Sequence, residues 1–168
     1  ETNKSLEKAL KKVGLSEFLL NEASKMAKIG AYEYYVENDH LFFTDQVYNI
    51  FELPKGDSLN VDQVRKILSR AYNSTLKIAA EKTMKDGTPF DVELQLNTIS
   101  GRKVWVRVMA QAIYADDRNI IGRRGVIQDI TEIKNYQREL QKALAVSRQN
   151  EFLLRQAVKL SKLGAYET

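Results

Sequence analysis

The chain has 168 residues, 43% of them hydrophobic and 29% charged, with two prolines and eight glycines. This is a globular composition long enough to bury a core, and it excludes wholesale disorder and linker-like or collagen-like tracts. Cysteine is absent and histidine occurs once, at His40, while 26 basic and 22 acidic residues mixed along the chain give +4; disulfides, thiolate chemistry, histidine-built metal sites and Ser-His-Asp triads drop out, and the charge pattern reads as a solvated surface rather than a nucleic-acid face.

In chain order, residues 4–13 read as a helix with Leu6, Leu10 and Val13 on one side, interrupted at Gly14. Ser16 is the expected N-cap of a second helix over 17–28, whose stripe is Leu19, Ala23 and Met26. Gly30 falls where a C-terminal cap glycine belongs. Tyr32 and Tyr34 then alternate with Glu33 and Tyr35 as a strand, Glu37-Asn38-Asp39 turns, and His40–Thr44 closes a hairpin. Thr44 or Asp45 is placed to cap a short helix carrying Val47, Tyr48, Ile50 and Phe51. Asp62–Ala71 reads helical with Val64, Ile67 and Leu68 inward, and Ser74 opens a further helix that Asp86-Gly87 ends.

The period then changes from helical to alternating. Phe90, Val92, Leu94 and Leu96 alternate with polar residues, the signature of a half-buried strand. Val104, Val106, Val108, Ala110 and Ala112 form one face of the next strand, with Trp105, Arg107, Met109, Gln111 and Ile113 on the other. Ile120–Ile130 is the third strand of this meander. The expected fold class is α+β: a five-stranded antiparallel sheet with short helices on one face, flanked by N- and C-terminal linker helices. Residues 132–163 contain no Gly or Pro; as one helix they span about 48 Å, with Ile133, Leu140 and Leu144 as a weak coiled-coil seam.

The chain also repeats itself at an offset of 134. Glu17-Phe18-Leu19-Leu20 recurs as Glu151-Phe152-Leu153-Leu154 and Gly30-Ala31-Tyr32-Glu33 as Gly164-Ala165-Tyr166-Glu167, with 15 identities over positions 6–33. Two unrelated amphipathic helices would account for the leucines and lysines, not for the Gly-Ala-Tyr-Glu after each. A period this long implies tandem domains rather than a solenoid. The expected organisation is an incoming linker helix over 1–15, a domain over 16–133, an outgoing linker over 134–149 and the start of a second repeat over 150–168, in a segment of a longer chain that begins with Glu rather than Met.

The ordered set of motifs resembles a PAS domain, of the subclass found in bacterial multi-PAS sensor proteins, the sensory box histidine kinases. Gly30-Ala31-Tyr32-Glu33-Tyr34 is similar to that subclass's opening strand, Phe43-Thr44 with Tyr48-Asn49-Ile50-Phe51 to its second strand and first helix, and Gly101-Arg102 with Trp105-Val106 and Asp129-Ile130-Thr131 to its closing strands. The region Ser69–Ser74 departs from the subclass, which has His-Pro-x-Asp there. The resemblance implies a pocket between the sheet and the short helices, for which the candidates are Tyr34, Phe43, Tyr48, Phe51, Met84, Leu94, Val106 and Ile127. It implies signal relay through Asp129, Ile130 and Thr131, whose oxygens suit the start of an outgoing helix. It also implies a packing or dimer face made by Leu19, Ala23 and Met26 with Trp105 and Met109 on the outer sheet.

Among cofactors, no bound group is the leading expectation. The light-sensing flavin relatives need a cysteine, and their glutamine position holds Ile127, with Gln128 facing away; haem-binding relatives would need a histidine after Ser74, whereas His40 lies on the second strand. Non-covalent FAD or a small organic ligand remains compatible. Asp116-Asp117 and Asn38-Asp39 are turn residues rather than metal ligands, and Arg102, Lys103, Arg107, Arg118, Arg123 and Arg124 lack a recognition helix for nucleic acid. No apolar run approaches the roughly 20 residues of a membrane span. The expectation is a non-enzymatic, cytoplasmic sensory and dimerisation module with no membrane insertion, homodimeric through its N-terminal helices, next to a second repeat and a downstream effector in a histidine kinase. The alternatives are an FAD-bearing redox sensor or a module of a diguanylate cyclase or chemoreceptor.

Overall fold

The computed structural model describes residues 2–55, 59, 60, 62, 64 and 74–165. The elements are α1 (Thr2–Ala27), β1 (Ile29–Tyr35), β2 (His40–Phe43), α2 (Asp45–Phe51), β3 (Leu59–Asn60), α3 (Ser74–Asp86), β4 (Phe90–Asn97), β5 (Lys103–Tyr114), β6 (Ile120–Asp129) and α4 (Thr131–Gly164). They form two units, residues 1–130 and 131–168.

In the first unit the five expected strands form one antiparallel sheet, and the two-residue β3 extends its edge, giving the order β3-β2-β1-β6-β5-β4. The terminal strands of the fold, β1 and β6, are therefore neighbours at the sheet centre, with Ile29 opposite Gln128 and Tyr35 opposite Gly122. The alternation of Leu94, Leu96, Val104, Val106 and Val108 puts each of them on the buried face. That face packs against Val47, Tyr48, Ile50 and Phe51 of α2 to make the core. The alternation of faces holds along β5 as expected: Ala112, half-buried, pairs with Arg123 on the inner side, while Ile113 pairs with Gly122 and is buried outside the core cluster. A register shift follows at Ile113/Tyr114, where Tyr114 pairs with Ile120 and β6 carries one extra residue.

Two helix expectations are corrected. α1 runs unbroken from Thr2 to Ala27, so Gly14 and Ser16 are interior rather than an interruption and a cap. A single interior glycine costs about 1 kcal/mol relative to alanine, too little to break a run of Leu, Lys, Glu and Ala. The left-handed residue after α1 is Lys28, φ 53°, not Gly30; Gly30 is buried inside β1. At α2, Thr44 holds the N-cap position without capping: its Oγ1 accepts the Ala31 N–H at 2.9 Å, fastening α2 to β1. α3 follows the sequence expectation closely, and the Gly87 N–H donates to the Thr83 carbonyl at its end. Asp62 and Val64 are helical as expected, and Val64 is buried; Ile67, Leu68 and Ser69–Asn73 lie outside the described residues.

α4, the second unit, is one helix of 34 residues, about 51 Å at 1.5 Å per residue. None of its residues is buried. Neither it nor any other described helix is long and apolar enough to cross a membrane.

Candidate functional site

Between the inner face of the sheet and the helices lies a cavity of about 70 Å³. The sheet supplies Tyr32, Leu41, Phe43, Phe90, Leu96, Val108, Arg123 and Ile127; the helical side supplies Phe51, Val64, Leu76 and Ala80. Of the eight residues expected there, Phe43, Phe51 and Ile127 line it. The other five do not. Leu94 and Val106 are buried in the core away from the cavity wall, Tyr48 is buried with its ring edge-on to Phe43 at 5.8 Å, and Met84 is half-buried on α3. Tyr34 donates its hydroxyl to Asp39 Oδ1 at 3.2 Å and lies under the Arg123 guanidinium, whose carbon is 4.5 Å from the ring centroid.

Arg123 is a cavity residue that the sequence reading did not single out, naming it only among the cations weighed for nucleic acid. The signal was present: it stands four residues from Ile127, on the same face of a strand. The other sheet arginines point elsewhere and are paired. Arg107 reaches both carboxylate oxygens of Asp91, at 2.8 and 2.5 Å, and Arg124 lies 3.9 Å from Glu33. The Arg107 guanidinium, through its hydrogen bonds, holds the Asp91 carboxyl below the usual range. These pairs, with half-buried Trp105 and Met109, make up the outer face of the sheet. Leu19, Ala23 and Met26 lie exposed on α1, Met26 at 84%, and no residue of α1 is buried against that face. His40 is half-buried at the hairpin, its Nδ1 2.5 Å from the Asn38 carbonyl oxygen. Among the described residues no cluster of His, Cys, Asp and Glu suits a metal.

At the exit of the fold, two hydrogen bonds form a seam. The Asp129 N–H donates to the Lys28 carbonyl at 2.9 Å, tying the end of β6 to the end of α1. The Ile130 N–H donates to the Trp105 carbonyl at 2.8 Å, and the Ile130 side chain is buried. Gln128 Nε2 reaches the Ala27 carbonyl at 3.4 Å, so it faces α1 and not the cavity.

A second polar cluster braces the core from outside. Glu52, the residue after α2, is left-handed at φ 59°, and its N–H and that of Leu53 close the helix onto Asn49 and Tyr48. Its carboxylate accepts from the Ser100 hydroxyl and from Arg102 Nε at 3.0 Å, linking α2 to the β4–β5 turn. The hydroxyls of Ser100 and Thr98 first, and then Arg102, hold the Glu52 carboxyl down at about 2. A carboxyl depressed on folding stabilises the fold fully above its unfolded value and loses that contribution as pH falls through its folded one. The expected result is that Glu52→Gln lowers the urea midpoint at pH 7, and that the gap to wild type narrows from about pH 4.5 down to about pH 2. Equal midpoints at pH 7 would show that the cluster contributes nothing.

A profile of the PAS-domain family matches residues 38–132, more than half of the chain. The chain belongs to the PAS-domain family. Solved structures with the same fold include a sensory box histidine kinase/response regulator from Burkholderia thailandensis, with 17% identity and TM-score 0.54, covering 77% of this chain and 98% of that one. They also include the N-terminal domain of a diguanylate cyclase with PAS/PAC sensor from Marinobacter aquaeolei, with 12% identity and TM-score 0.55, covering 63% and 98%. A third is a PAS domain from Colwellia psychrerythraea, with 13% identity and TM-score 0.52, covering 68% and 98%. No curated protein matches the chain.

Proposed function

We propose that this PAS sensory domain is a non-catalytic relay and dimerisation module of a bacterial sensor histidine kinase, without a resident cofactor, whose stimulus is a small organic ligand. The seam at Lys28, Asp129 and Ile130 carries the relay reading. It joins the end of the incoming helix to the residue before the outgoing one, across the two central strands. A change in the packing of Ile127 or Val108 at the cavity acts on strands that end at this seam. Asp129, Ile130 and Thr131 are then the transmitting residues.

The cavity volume bears on the ligand. Pockets for drug-sized ligands and cofactors span roughly 300–1,000 Å³, and this one offers about 70 Å³. The repeat supports a tandem second module: Gly164 recurs at the place of Gly30, a residue whose lack of a side chain the fold requires at β1. Assignment of the parent as a kinase is tested by the full reading frame, where a cyclase domain in place of a phosphoacceptor and ATP-binding domain would overturn it.

A second copy of the chain is the proposed partner. Leu6, Leu10, Leu19 and Met26 are exposed along α1, and half-buried Trp105 and Met109 lie on the outer face. Removing such apolar surface from water drives association. Light scattering is expected to give a dimer mass for the wild type and half that mass for Leu19→Arg or Leu6→Arg. A wild type that is monomeric at high micromolar concentration would end the dimer reading.

A further inference from the structure

The cavity wall carries one cation, Arg123, for which the described residues supply no anion. Arg102, Arg107 and Arg124 are matched to Glu52, Asp91 and Glu33. Arg123 lines the apolar cavity, and among the described residues no carboxylate pairs with it; it lies over the Tyr34 ring instead. A half-buried charge beside apolar side chains loses hydration, and an aromatic face returns only part of it. Beside Arg123 the described wall is mostly apolar, including Phe43, Ala80, Val108 and Ile127, with the Tyr32 phenol as the other polar group. The site therefore has a fixed positive end and a small apolar body.

We infer that the cavity takes a short carboxylic acid of three or four carbons, its carboxylate on the Arg123 guanidinium and its alkyl end among Ala80, Val108 and Ile127. Guanidinium and carboxylate match as a two-point, charge-assisted pair. The volume sets the length. One water needs about 10–15 Å³ of such space, so about 70 Å³ holds roughly five to seven non-hydrogen atoms, the size of a three- or four-carbon acid, and excludes rings with substituents. Bidentate binding also fixes the acid's orientation, so the tail lies against strands β5 and β6, whose far ends form the exit seam.

This inference rests on the reading of the cavity as the stimulus site, and the experiment separates the two. The whole chain is titrated with sodium butyrate and with butyramide, its neutral isostere, at constant ionic strength, following the amide resonances of Ala80, Val108 and Ile127. Butyrate is expected to bind at least about tenfold more tightly than butyramide, the margin a charge-assisted pair gives over a neutral hydrogen bond. Arg123→Gln is expected to abolish that preference. Ala80→Leu, which fills the cavity and keeps the arginine, is expected to abolish binding of both. Equal binding of acid and amide to the wild type overturns the carboxylate inference and leaves the cavity a ligand site. Butyrate binding that survives Ala80→Leu overturns it as well, because the acid then sits on an exposed guanidinium. If neither compound moves the cavity resonances, the ligand-site reading itself is overturned.

Discussion

Phe51→Ala is expected to lower the unfolding free energy by about 3–5 kcal/mol, the range for truncating a buried aromatic. Phe51 ends α2, is 2% exposed, and is among the largest side chains in the core that are fully buried. The upper half of the range is expected because the void cannot close. The Ile99 N–H donates to the Phe51 carbonyl at 3.3 Å, and the next residue, Glu52, is held by Ser100 and Arg102. The backbone at this point is thus fixed to the β4–β5 turn. The new space would also open into the existing 70 Å³ cavity instead of being filled by neighbours. Against a typical total of 5–15 kcal/mol, this is a large fraction of the stability. Urea unfolding at constant m-value measures it; a loss under about 1.5 kcal/mol, the scale of deleting one or two methylenes, would mean that α2 moves in to fill the gap.

How far the sequence discloses such features depends on the kind of information each needs. The β4–β6 meander is legible because one buried face imposes a period of two, as Leu94, Leu96, Val104 and Val106 display. The inward direction of Ile127 and Phe43 is legible for the same reason. The cavity wall is not, since a void is what remains after side chains from α2, α3 and five strands have packed. Leu94 and Val106 share the face of Val108, yet they fall in dense core while Val108 borders the gap. Arg123 was legible from alternation, but its charge suggests the surface, and only the arrangement of Tyr34 beneath it explains an inward position. Glu52 carries no sequence sign of its role, because Arg102 and Ser100 are about 50 residues away along the chain.

Two glycine substitutions to alanine are expected to have opposite signs. Gly14 lies inside α1 with nothing within 4 Å of where an added methyl group would stand, so Gly14→Ala should stabilise the helix by about 0.5–1 kcal/mol. Gly30 faces the first turn of α2, where a Cβ would overlap both Cγ2 and the backbone N of Val47. A flexible side chain can give way to a methyl group; this backbone cannot. The Val47 N–H donates to the Thr44 carbonyl at 2.9 Å, the Thr44 N–H donates to the Ala31 carbonyl at 3.0 Å, and Thr44 Oγ1 accepts from the Ala31 N–H at 2.9 Å. Val47 itself is 0% exposed, so moving α2 outward would also open the core beneath it. Gly30→Ala is therefore expected to cost about 3 kcal/mol, the top of the usual overpacking range, and Gly30→Val more. Paired thermal melts of Gly14→Ala and Gly30→Ala test this, with the first midpoint above wild type and the second well below it. A neutral Gly30→Ala would mean that α2 can part from β1 without loss, and that the Thr44–Ala31 bonds do not fix the helix to the strand.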